Sequence, residues 1–68
     1  MKLSKKIIEQ AKKKSKKHPE LRLGQLVINL LFFEREHIYN LITGTNADCF
    51  YDNTKIDKCL EIIDKLDI

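Results

Sequence analysis

The stretch Pro19-Glu-Leu-Arg-Leu-Gly-Gln-Leu-Val-Ile-Asn-Leu-Leu31 combines a dense run of apolar residues with regularly placed polar ones. Leu23, Leu26, Val27, Leu30 and Leu31 recur at helical spacing, and Arg22, Gln25 and Asn29 fall three and four apart on a neighbouring face. This pattern predicts a central helix that the rest of the chain must cover. With 68 residues there is room for one domain only. A chain of that size buries about 60% of the surface its unfolded form exposes, so the core is small, stability is modest and self-association would help.

Charge is unevenly distributed. Residues 1–22 hold nine basic against two acidic residues, a net of +7, whereas residues 23–68 hold four basic against eight acidic, a net of −4. The basic block Lys12, Lys13, Lys14, Lys16 and Lys17, extended by Arg22, is a candidate patch for phosphates or for an acidic protein surface. It is equally what a solvated helix face looks like. No uncharged apolar run approaches the ~18 residues that span a bilayer. Met1-Lys2-Leu3 is not followed by the apolar segment of a secretory signal. The expectation is a cytoplasmic protein with no membrane contact.

Taken in order, Leu3 to about Lys17 is a basic first helix, with Ser4 as its N-cap and Leu3, Ile7 and Ala11, joined by Ile8, turned inward. Its apolar stripe runs out after Ala11. The lysines beyond it flank the negative end of the helix dipole. His18-Pro19 ends that helix, and Pro19 with Glu20 suits the first turn of the next. A helical region over about 20–43 follows, with a bend or break near Glu34 to His37 and a stop at Thr43-Gly44. Gly24 costs about 1 kcal/mol in a helix and therefore calls for close approach of another backbone or ring, most simply a tight helix crossing.

Thr45 to Tyr51 reads as a loop. A last helix spans about 54–66, capped by Asp52 or Asn53, with Thr54 and Asp57 resembling a capping box and Ile56, Cys59, Leu60, Ile63 and Leu66 facing inward. Asp64 and Asp67 oppose its dipole, which predicts a frayed last turn. The fold class is all-α, a small three- or four-helix bundle with an irregular loop before the last helix.

Cys49 and Cys59, in a chain without a secretory signal, favour free thiols over a disulfide. With His18 and His37 they form a nominal two-Cys, two-His set, but neither pair has zinc-ligand spacing, so no metal is expected. Cys49 beside Asp48, with His37 upstream, is the only nucleophile-like grouping. No catalytic residues, cofactor or small-molecule substrate are assigned. Arg22, Gln25 and Asn29 on the central helix and Asp48, Tyr51 and Asp52 in the returning loop instead suggest a structural polar network, with the guanidinium clamped by one of the carboxylates.

The combination Pro19-x-Leu21-Arg22-Leu23-Gly24-Gln25-Leu26-x-x-Asn29, followed by Asp48-x-Phe50-Tyr51-x-x-Thr54, resembles a group of short, uncharacterised bacterial and phage proteins. Their pattern reads Pro-x-Leu-Arg-x-Gly-Gln-Leu-x-x-Asn, then Asp-x-Phe-Tyr-x-x-Asp at the head of a final helix. Thr54 stands where that pattern has Asp, and the lysine-rich first helix lies outside it. The resemblance implies a small helical fold and carries no activity.

Two functions of different class follow from the residues. The first is a protein-interaction module, an accessory or inhibitory protein of a phage or mobile element. It would dock through Phe32, Phe33 or Tyr39, with its lysines orienting it on a protein partner or with self-association in place of one. The second is a nucleic-acid binder with Lys12, Lys13, Lys14, Lys16, Lys17 and Arg22 on phosphates. Two arginines and no aromatic interleaved with the lysines weigh against the second. Exposure of Phe32 and Phe33 discriminates, because burial of both would remove the docking surface.

Overall fold

The computed structural model describes residues 2–67, which form an all-α bundle. Four helices follow one another: α1 (Leu3–Lys17), α2 (Leu23–Glu34), α3 (Glu36–Ile42) and α4 (Ile56–Leu66), the last preceded by a short 3₁₀ turn over Asn53–Lys55. The expected central helical region is thus two helices. Arg35, with φ −151° and ψ 84°, lies outside helical geometry and separates α2 from α3.

The core is aliphatic. Leu3, Ile7 and Ala11 of α1 meet Val27, Ile28 and Leu31 of α2, Ile38 and Ile42 of α3, and Ile56, Cys59 and Ile63 of α4. No aromatic side chain is among the buried residues. Lys6, near the start of α1, bonds Glu34 at the end of α2 at 3.0 Å, so the two helices run antiparallel.

Pro19 does not begin a helix. It sits in a tight turn closed by the Leu21 N–H on the His18 carbonyl (3.0 Å), and α2 starts only at Leu23. Proline fixes φ as readily for the second position of a turn as for a helix start.

Both long helices begin on caps supplied from far along the chain. The N-cap position of α1 is Lys2, whose side chain caps nothing, and Ser4 lies inside the helix. The Ser4 N–H and hydroxyl both donate to the Asp64 carboxylate, at 3.1 Å and 2.6 Å. Asp64 therefore serves the positive end of α1, where a carboxylate is favoured. The Asp67 carboxylate pairs with Arg35 at 3.5 Å. These partners account for acidic residues that oppose the dipole of α4, and α4 is helical through Leu66 rather than frayed earlier.

At the start of α2 the Gly24 N–H donates to Asn53 Oδ1 at 2.9 Å. The close approach expected at Gly24 is real, but it is made by the loop and not by a helix crossing. A Cβ at Gly24 would lie 2.0 Å from the Cys49 carbonyl oxygen. Gly44 has φ +81° and turns the chain out of α3.

Candidate functional site

The loop between α3 and α4 is held by its own short polar side chains. Asp48 accepts from the Gly44 N–H and the Phe50 N–H, both at 3.0 Å. Asp52 accepts from the Thr54 N–H (2.9 Å) and the Thr54 hydroxyl (2.6 Å). These Thr54 bonds hold the Asp52 carboxyl below the ordinary aspartate range. The Thr54–Asp57 capping box is not formed among the described residues: Thr54 lies within the 3₁₀ turn, and α4 has Lys55 at its N-cap position with no side-chain cap bond.

The predicted polar network is not assembled. Arg22 is exposed and, among the described residues, has no carboxylate partner. Gln25, Asn29 and Tyr51 make no side-chain hydrogen bond among the described residues, while Asp48 and Asp52 serve the loop itself. The side chains that tie this segment to the central helix are Asn53, which accepts from the Gly24 N–H, and Cys49, which donates to the Gly24 carbonyl. A long-range amide cap leaves no periodic trace in a sequence, whereas a guanidinium near carboxylates invites pairing on paper.

The nucleophile-like grouping does not come together either. Cys49 and Cys59 are fully buried, free and in hydrogen-bonding contact, and Cys49 Sγ also lies 3.6 Å from the Gly24 carbonyl. The bond to Cys49, with burial behind it, pushes the Cys59 thiol far above its ordinary value. His37 and His18 are both exposed, outside this buried pair. Among the described residues no group of three or more His, Cys, Asp or Glu could hold a metal ion. Neither thiol should react with a disulfide reagent such as Ellman's reagent at neutral pH until the fold opens. We expect protection of both thiols by at least ~10²-fold relative to the protein in urea; fast labelling of either one in the native state would contradict their burial.

The aromatics define the surface feature of this molecule. Phe33 is 81% exposed and Phe32 45% exposed, at the tail of α2. Phe32 packs edge-on against both Phe33 (centroids 6.0 Å apart) and Tyr39 of α3 (5.0 Å). Phe50 and Tyr51 form a second edge-on pair at 4.7 Å, with Tyr51 78% exposed. Phe32, Phe33 and Tyr39 line a groove of about 660 Å³. Tyr39, Phe50 and Tyr51 line a smaller one of about 220 Å³. Tyr39 is shared, so all five aromatic residues of the chain belong to one continuous band.

The larger groove has an aliphatic floor of Leu21, Leu26 and Leu30, and its charged edge is Lys14, Lys17 and His18. It exists because the apolar stripe of α1 ends at Ala11. Beyond that residue α1 offers lysines where it would need large apolar groups to cover α2. Of the remaining basic candidates, Lys12, Lys13, Lys16 and Arg22 are exposed but do not line this groove.

The chain matches no family model, and neither a curated protein nor a solved structure is significantly similar to it. No helix among the described residues is long and apolar enough to cross a membrane.

Proposed function

We propose that this chain is a small protein-docking module whose contact surface is the aromatic band Phe33–Phe32–Tyr39, continued by Phe50 and Tyr51. The observation that carries the reading is the segregation of side chains: the buried core holds no aromatic residue, and every aromatic lies in one of two adjoining surface grooves. In a domain this small, large rings are the most effective core fillers available. Leaving Phe32, Phe33 and Tyr51 exposed costs stability unless something covers them, and aromatic side chains are the residues that most often anchor protein interfaces. The placement of such a module in a phage or mobile element, as an accessory or inhibitory protein, rests only on the resemblance of the Pro19–Thr54 pattern to short bacterial and phage proteins.

A second reading, binding of single-stranded nucleic acid, is favoured by one specific observation. Lys14 and Lys17, separated from the aromatics in sequence, share a groove with Phe32, Phe33 and Tyr39, the combination of cation and ring on which bases stack. The leucine floor of that groove favours apolar side chains over bases, and the docking reading comes first.

Selection of random peptides displayed on phage, with the folded protein as bait, tests the proposal. Wild-type protein should enrich a recurring apolar motif, and Phe33→Ala should abolish the enrichment, because an exposed anchor ring typically carries about 2 kcal/mol or more of binding. Phe33 is exposed enough for its replacement to leave the fold intact. Enrichment of the same peptides by wild type and Phe33→Ala, or no enrichment alongside salt-sensitive binding of an oligothymidylate, would overturn it.

A further inference from the structure

We infer that the groove along α2 receives an acidic amphipathic helix from a partner protein, a refinement that rests on the docking function proposed for the same surface. Charge, shape and backbone chemistry each narrow the occupant. The groove edge carries Lys14, Lys17 and His18 and no acidic residue. His18 has Glu20 beside it at 3.4 Å, so the free positive charge is that of the two lysines, neither of which has a carboxylate partner among the described residues. An occupant that places carboxylates along this edge gains attraction and speed of encounter, and a basic one is repelled.

The same charge disfavours a second copy of this chain packed face to face, which would set lysines against lysines about a two-fold axis. α4 of another copy offers only a sparse acidic edge, with Asp57 its one acidic residue without a partner among the described residues. Asp64 is bound to Ser4, Asp67 to Arg35 and Glu61 to Lys65. A different protein that carries a row of carboxylates fits this edge better than a second copy does.

The floor decides its conformation. Leu21, Leu26 and Leu30 offer no hydrogen bond, Asn29 and Tyr39 are the uncharged polar side chains that line the groove, and the described residues hold no sheet edge for a strand to join. With so few hydrogen-bonding partners along the groove, a segment that satisfies its own backbone N–H and C=O groups is favoured, which a helix does and an extended peptide does not. From Leu23 to Phe33 the α2 axis runs about 15 Å, enough to seat roughly three turns with apolar residues at i, i+3 or i+4, and i+7.

Three synthetic helical peptides of about 18 residues provide the probes. They share one apolar face of Leu and Phe and differ only in their flanking residues, which are Glu, Gln or Lys; a labelled oligothymidylate of similar length is the fourth probe. Anisotropy titrations at low and physiological salt should rank Glu well ahead of Gln, with Lys weakest. The Glu peptide should lose about tenfold or more in Phe33→Ala and in Lys14→Glu/Lys17→Glu. The charge-reversed protein should invert the ranking and favour the Lys peptide. That gain cannot come from misfolding.

Equal binding of all three peptides, still lost in Phe33→Ala, would overturn the acidic-helix inference and leave the docking function standing. Absence of peptide binding together with tight, salt-sensitive oligothymidylate binding would overturn both. If none of the four probes binds, the inference falls, while the docking function is judged by the display selection alone.

Discussion

Gly24→Ala should destabilise the protein by about 3 kcal/mol or more, as read by urea or thermal unfolding. The added methyl would lie 2.0 Å from the carbonyl oxygen of Cys49 and 3.0 Å from its carbonyl carbon. Both are backbone atoms of a loop pinned on two sides, so they cannot step aside as a flexible side chain would. Alanine is the better helix former by about 1 kcal/mol, which opposes the clash but does not offset it. The displaced loop also takes Asn53 with it, so the Gly24 N–H loses its acceptor at a further cost of about 1 kcal/mol. A domain of this length has about 3–10 kcal/mol of stability in total, so the variant should be partly unfolded or should fold with the loop detached.

Gly44→Ala is the control that separates clash from conformation. Nothing lies within 4 Å of a Cβ at Gly44, and its cost comes only from holding an L-residue at φ +81°, about 1–2 kcal/mol. A Gly24→Ala protein as stable as wild type would mean that the loop does not lie against the head of α2. The consequence reaches the proposed docking surface, because Phe50 and Tyr51 ride on the same loop. A variant in which the loop detaches should lose the Tyr39–Phe50–Tyr51 part of the aromatic band while α1 and α2 keep their groove.

What the sequence made legible was governed by local periodicity. The stripes Leu3–Ile7–Ala11 and Ile56–Cys59–Ile63 identify inward faces because burial on a helix repeats every three or four residues, and both are buried. The helix stop at Thr43-Gly44 was legible because a left-handed glycine is a local device. Helix starts were another matter. Local rules point to Ser4 for the start of α1 and to Pro19-Glu20 for that of α2, but the acceptors that serve those helices are Asp64 and Asn53, brought from elsewhere by the fold. A local rule cannot see a bond between residues 60 apart.

The aromatic band was half legible. Phe32 and Phe33 are docking candidates from the sequence, and both are exposed. That Phe50 and Tyr51 would adjoin Tyr39 depended on how the loop returns over the bundle, and that Lys14 and Lys17 would edge the same groove depended on α1 and α2 running antiparallel. The end of the α1 apolar stripe at Ala11 is the local trace of this groove, because it leaves part of the facing helix uncovered.

Asp64→Ala should cost about 2–3 kcal/mol, a large share of the total for such a domain. The carboxylate accepts two bonds at once, from the Ser4 N–H and the Ser4 hydroxyl, in a partly buried position. Hydrogen bonds to a charged group contribute about 1.5–3 kcal/mol, and a carboxylate at a helix N-terminus adds about 0.3–1 kcal/mol. Removing it strands the hydroxyl of Ser4, a residue only 9% exposed, and strips the first turn of α1 of its acceptor.

Ser4→Ala is the milder change, about 1 kcal/mol, because the carboxylate keeps the backbone N–H and no buried donor is left stranded. The two substitutions should therefore be strongly non-additive, with the double variant close to Asp64→Ala alone. Asp64→Asn, which retains an oxygen acceptor but no charge, should fall between Asp64→Ala and wild type. Additive losses in the Ser4/Asp64 cycle, or an Asp64→Ala protein within about 0.5 kcal/mol of wild type, would mean that α1 does not take its cap from α4. The stability of the basic helix would then have to come from its short apolar stripe alone, which ends four residues before Ser15 and leaves Lys16 and Lys17 nothing to bury.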